Sequence, residues 1–86
     1  MKTTRTNAGL YQIAGETVLD GQAVEVRFSI WKHESIAHTW LSETTVNGRT
    51  NSVHSDHGSK KDAVAACKRS ASRGYRTVPG FGVCVN

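Results

Sequence analysis

The stretch LYQIAGETVLDGQAVEVRFSIW, Leu10 to Trp31, decides the fold. Two runs of alternating apolar and polar residues flank Asp20-Gly21, and Asp-Gly between such runs is a strong signal for a two-residue hairpin turn, whose central positions need positive φ. With Asp20 and Gly21 as the turn, Leu19 faces Gln22, Thr17 faces Val24, Ile13 faces Phe28 and Tyr11 faces Ile30. Both strands then turn their apolar sets to one face, whereas a slip of one residue would turn one set outward. Gly15 falls opposite Val26, marking either a bulge or a close approach by another element. Leu10, Gln12, Arg27, Ser29 and Trp31 fall on the opposite, outward face.

Downstream, Lys32 to Ser35 reads as a polar loop, and a third run, Ile36 to Val46, leads into Asn47-Gly48, a second hairpin signal. A short polar strand from Arg49 to about His54 follows, with Ser42 opposite Val53 if the turn has two residues. That register favours Ile36, Trp40, Val46 and Val53 as the core side; the competing one buries Ala37, Thr39 and Leu41. Residues 54–58 read as a loop. Upstream, residues 1–8 are polar and expected to be flexible.

Gly58 to Tyr75, GSKKDAVAACKRSASRGY, carries the one clear helix. Ser59 is placed to cap its start, Asp62 puts negative charge in the first turn, and Gly74 closes it. Ala63, Val64, Cys67, Ser70 and Ala71 share one face, so the inner surface is built of small side chains and the helix packs close to its partner. Beyond it, Pro79, Gly80 and Gly82 forbid helix. The predicted architecture is α+β: a four-stranded antiparallel sheet of two hairpins, one C-terminal helix packed on one face, and a short final edge strand at Val83 to Val85.

The 86 residues suffice for one domain with a thin core. No apolar run in MKTTRTNAGL reads as a signal peptide, and no stretch is long enough to cross a bilayer, so a cytoplasmic protein without a membrane partner is expected. Two cysteines, Cys67 and Cys84, fit a reducing compartment, although a single bridge between them stays open. Residues 1–57 carry five Lys and Arg against six carboxylates, while residues 58–86 carry six against Asp62, so a nearly neutral sheet half adjoins a basic helix half.

The basic group, Lys60, Lys61, Lys68, Arg69, Arg73 and Arg76, could meet phosphates; the competing reading is a face kept charged for solubility. Trp31, with Leu10 and Arg27 on the outward sheet face, is a candidate docking patch, for a partner protein or a second copy in a homodimer. Its alternative is a Trp folded back on its own loop. His54 and His57 flank Asp56 and could join a cysteine at zinc, but neither cysteine belongs to a Cys-x-x-Cys pair, and a polar loop accounts for them as well. His33 reads as a loop residue and His38 as a strand residue. No hydrolase, P-loop, dinucleotide or zinc-protease motif is present, Cys67 falls on the buried helix face, and no enzyme, metal or cofactor is expected.

Two resemblances rest on particular residues. GSKKDAVAAC, Gly58 to Cys67, resembles the last helix of double-stranded-RNA-binding domains, with Lys60 and Lys61 matching the first two lysines of its phosphate clamp and Val64 at the third. The succession of TNAGLY, the Asp-Gly hairpin, a Trp-bearing strand, Asn-Gly and the SKKDAVAA helix is similar in size and layout to small accessory proteins of phages and mobile elements, anti-CRISPR proteins among them. The first resemblance implies a basic nucleic-acid-binding module. The second implies a non-enzymatic inhibitor that docks on a host protein or ribonucleoprotein complex.

Overall fold

The computed structural model describes residues 2–7 and 9–86, with side chains for 9–49 and 57–86. In chain order the elements are β1 (Lys2–Asn7), β2 (Leu10–Leu19), β3 (Gln22–Lys32), β4 (Trp40–Val46), β5 (Arg49–His57), α1 (Lys60–Arg73), β6 (Tyr75–Val78) and β7 (Gly82–Val85). The strands form one sheet in the order β5-β4-β3-β2-β6-β7, with β1 also on β2, and every pairing is antiparallel except that of β2 with β6. The α+β class, the antiparallel-rich sheet and the single helix match expectation, while the predicted four strands and final edge strand become seven, with β7 at the place of that edge strand. β7 comes back alongside β5, so the sheet curls toward a barrel around α1.

The β2–β3 hairpin has the register that its sequence predicts, from Leu19↔Gln22 through Tyr11↔Ile30, with no bulge at Gly15. Asp20 and Gly21 take φ of 49° and 83°, the two positive values that a type I′ turn needs. Ile13, Val26, Phe28 and Ile30 from this hairpin, with Val46 from β4, are the largest fully buried side chains. Burial of each contributes about 1.5–3 kcal/mol.

The second hairpin departs from expectation in five ways. Lys32 ends β3, and β4 begins at Trp40 instead of Ile36. His33 explains the loop between them: its Nδ1 accepts hydrogen bonds from the amides of Ser35 and Ile36, both at 3.0 Å, and its own N–H donates to Thr39 O. That tight turn throws Ile36 outward, 56% exposed, and places His38 in the loop with φ 56°. A bulge between Thr44 and Thr45 shifts the partner of Ser42 from Val53 to His54, and β5 runs on to His57, where a loop was expected. Trp40 and Val46 lie on the core side as predicted; the core role expected of the Val53 side chain falls outside the described side chains, and residues 2–7, read as a flexible lead, form β1 paired with β2.

Ser59 caps α1 as its sequence predicts, its Oγ accepting from Asp62 N at 3.1 Å. At the other end Gly74 N–H donates to Ser70 O, with φ 79° and ψ −175°: positive φ, but extended onward into β6. Ala63 and Cys67 are the buried positions of α1, so the helix lies close over β2, β3 and β4.

The sequence reading missed β6. Leu19 pairs with Tyr75, Asp20 N donates to Tyr75 O at 3.1 Å, and the Asp20 carboxylate accepts from Thr77 N at 2.9 Å and Thr77 Oγ1 at 2.6 Å. The turn of the first hairpin thus also clamps the last one. Buried Tyr75 donates its O–H to Ser70 Oγ at 2.9 Å, which in turn donates to Cys67 O.

Candidate interaction surfaces

The outward sheet face is built by register. Leu10 pairs with Trp31 and Trp31 with Leu41, which lines three apolar side chains across β2, β3 and β4 on the side away from α1. All three are half-buried, because each shields its neighbour. Trp31 and Leu10 are therefore less exposed than the sequence suggested, and Trp40, on the other face, packs against the core. On the same face Glu43 stands two residues from Leu41, while Arg27 and the Glu16–Glu25 pair lie four and six residues further along their strands. Arg27 donates to Glu25 Oε1 at 3.3 Å, an exposed contact that contributes little stability. Glu16 and Glu25 are direct cross-strand partners, an arrangement in which like charges cost stability.

The opposite side of the molecule is basic. Lys61, Lys68, Arg69 and Arg73 are exposed on α1, while Arg76, next to core-facing Tyr75, is exposed on the outer side of β6. Arg69 and Arg73, four residues apart, form one stripe, and Lys61 and Lys68, two turns apart, form another. Among the described residues none of these five is in an ion pair. Lys60 differs from its expected role: half-buried, it holds its Nζ 3.6 Å from the centroid of the Tyr11 ring, which lies 6.3 Å from that of Trp40. The ammonium is spent on the aromatic end of the core. Of the two lysines matching the RNA-binding motif, Lys61 is the one left exposed.

Two strands share one edge of β2 and leave a notch. β1 covers Leu10 to Ala14 and β6 begins at Leu19, so between them the edge of β2 meets the helix instead of a strand. Thr17 Oγ1 donates to Ala71 O at 2.7 Å there, and Glu16, Lys68, Ala71 and Ser72 line a shallow open cleft.

A polar cluster missed in the sequence lies beneath α1. Ser42 Oγ is 2.9 Å from His57 Nε2, and the Cys67 thiol lies against the same residue. Burial pushes the Cys67 thiol up to about 11, the Ser42 contact opposing the shift. A serine beside an imidazole is the pairing from which nucleophilic catalysis starts, but Ser42 is 3% exposed, so a substrate carbonyl has no line of approach to Oγ. The cluster pins β4 and β5 to the helix. Of the candidate zinc ligands, His57 and Cys67 both meet Ser42; the His54 side chain lies outside the described residues, and Cys84 is half-buried on β7.

Among the described residues no helix is long and apolar enough to cross a membrane. No protein-family model, curated protein or solved structure matches the chain.

Proposed function

We propose that this is a non-enzymatic binding protein that docks its outward sheet face on a partner protein, acting as an inhibitor or accessory factor of the phage or mobile-element kind, with an anti-CRISPR-like role against a host protein or ribonucleoprotein complex. The observation that carries the reading is the Leu10–Trp31–Leu41 row, held in register across three strands on the face that α1 leaves uncovered. A half-buried Trp between two leucines offers an anchor whose remaining surface a partner can desolvate. Glu43 beside the row, and the Glu16–Glu25 pair further along the same face, favour a partner that brings basic side chains, and the Glu16–Glu25 repulsion is relieved when a cation settles between them. The layout resemblance supplies the phage-type role; the register supplies the surface.

Affinity capture from host lysate with nuclease present tests this, comparing wild type with Trp31→Ala and Glu25→Lys, each checked for native circular dichroism. A nuclease-resistant partner that both variants lose is the expected result. Retention by Trp31→Ala, or capture that vanishes with nuclease, refutes it. A dimer on gel filtration that Trp31→Ala dissolves would identify the occupant as a second copy.

A second reading, a nucleic-acid-binding surface, is favoured by one observation: Lys61, Lys68, Arg69, Arg73 and Arg76 are exposed with no carboxylate paired to them among the described residues. Phosphates are the natural partners of such a set.

A further inference from the structure

We propose that the β6–β7 hairpin is a contact for single-stranded nucleic acid, in which Phe81 stacks on a base while Arg73 and Arg76 meet phosphates. This rests on the nucleic-acid reading above and names its ligand class and its aromatic residue.

Phe81 is 81% exposed, the most exposed large apolar side chain of the described residues, and takes no part in the core. Its position is well defined. Val78 O accepts from Phe81 N at 3.0 Å, Pro79 supplies a pre-set φ at the second position of the turn, and Gly80 takes φ 83° at the third, which makes a type II turn. β6 is itself tied to the Asp20 turn through Thr77. The backbone that carries the ring is already ordered by this turn, so binding has only the side-chain torsions left to fix.

The surroundings select the ligand. From Ala63 to Asn86 the sequence holds Lys68, Arg69, Arg73 and Arg76 and no Asp or Glu. Arg73 ends α1 just before the hairpin, and Arg76 pairs with Cys84 two residues below the turn. An apolar pocket on a protein would satisfy Phe81 but leave the arginines unused. A nucleotide strand offers a flat π face and an anion in every unit. In a duplex the base faces are already stacked on one another, so a lone protruding ring finds its partner in a single strand.

Fluorescence anisotropy with a labelled oligouridine of about twelve nucleotides, and with a duplex of equal length, tests the proposal. Two phosphate contacts predict a slope of about −1.4 for log affinity against log salt, a loss of about 7-fold from 50 to 200 mM, and Arg76→Gln should flatten that slope by about 0.7. Phe81→Ala should weaken oligouridine binding by about 5-fold or more, Phe81→Trp should retain it, and Phe81→Leu should fail like alanine because it is apolar without a π face. Phe81 lies outside the core, so these variants keep their fold. Salt-sensitive binding indifferent to Phe81, or full binding by Phe81→Leu, overturns the proposal and leaves the broader nucleic-acid reading standing. No binding of either oligonucleotide at 50 mM salt overturns both.

Discussion

Gly74→Ala is the sharpest probe of how the two halves of this molecule are joined. Gly74 is buried, sits at φ 79° and ψ −175°, and links the end of α1 to the start of β6. That backbone region belongs essentially to glycine, and holding alanine in it costs about 1–3 kcal/mol. A Cβ there would also lie 3.1 Å from Val18 O and 3.5 Å from Val18 Cβ. Val18 cannot retreat easily, because its own strand is paired through Ala23 to β3. The neighbouring hydrogen bond from Asn86 N to Gly74 O, at 3.0 Å, is strained by any shift in the other direction. The combined loss is about 2–4 kcal/mol, a large share of the roughly 4–13 kcal/mol expected for a domain of this length. Urea titration followed by the fluorescence of Trp31 and Trp40 measures it, and the melting temperature should fall on the order of 10–20 °C. Gly80→Ala is the control: it shares a positive φ of 83° but meets nothing within 4 Å, so only its backbone term, about 1–2 kcal/mol, remains. Gly58→Ala, whose Cβ would meet Asp62 Oδ2 at an ordinary 3.6 Å, should be close to neutral. Equal losses at Gly74 and Gly80 would refute the claim that the approach to Val18 matters.

Two further outcomes follow from the titrating groups. Thr77 Oγ1–H and N–H hold the Asp20 carboxyl below its ordinary value of 3.8, so this clamp contributes stability above that pH and loses it as pH falls through the folded value. Asp20→Asn should therefore be less stable than wild type at neutral pH and converge on it in acid; a gap that stays constant down to the acid limit would count against the clamp. Because burial raises the Cys67 thiol to about 11, the native protein at pH 8 should be alkylated by iodoacetamide at Cys84 while Cys67 reacts only after unfolding, and mass spectrometry showing rapid double labelling would contradict the packing of α1.

How much of this was legible in the sequence follows from the range over which each signal acts. The β2–β3 register was decided by Asp20-Gly21 and by two apolar patterns that agree on one face, all within one hairpin, and the structure reproduces it pair by pair. The limits of α1 were carried by Ser59 and Gly74, each acting within one turn. The β4–β5 register was misread because a bulge at a polar strand has no apolar pattern to announce it. The third strand was started too early because Ile36 looks like a core residue, while the amides that His33 captures turn it to solvent. Phe81 was passed over although Pro79-Gly80 between Thr77-Val78 and Val83 is itself a hairpin signal.

By itself, then, the sequence determined the local units: one hairpin with its register, one capped helix with a small-residue face, and the separation of a basic C-terminal part from a nearly neutral sheet part. Only the tertiary structure decided that β1 and β6 share the edge of β2, that Ser42, His57 and Cys67 meet under the helix, and that Leu10, Trp31 and Leu41 line up across three strands. It also decided which cations stay available, since Lys60 is drawn onto Tyr11 from a strand about fifty residues earlier in the chain. The physical reason is common to all of these. Turn and cap chemistry depends on neighbours a few residues away, whereas edge pairing, burial and cation placement depend on segments that meet only once the sheet has curled around the helix.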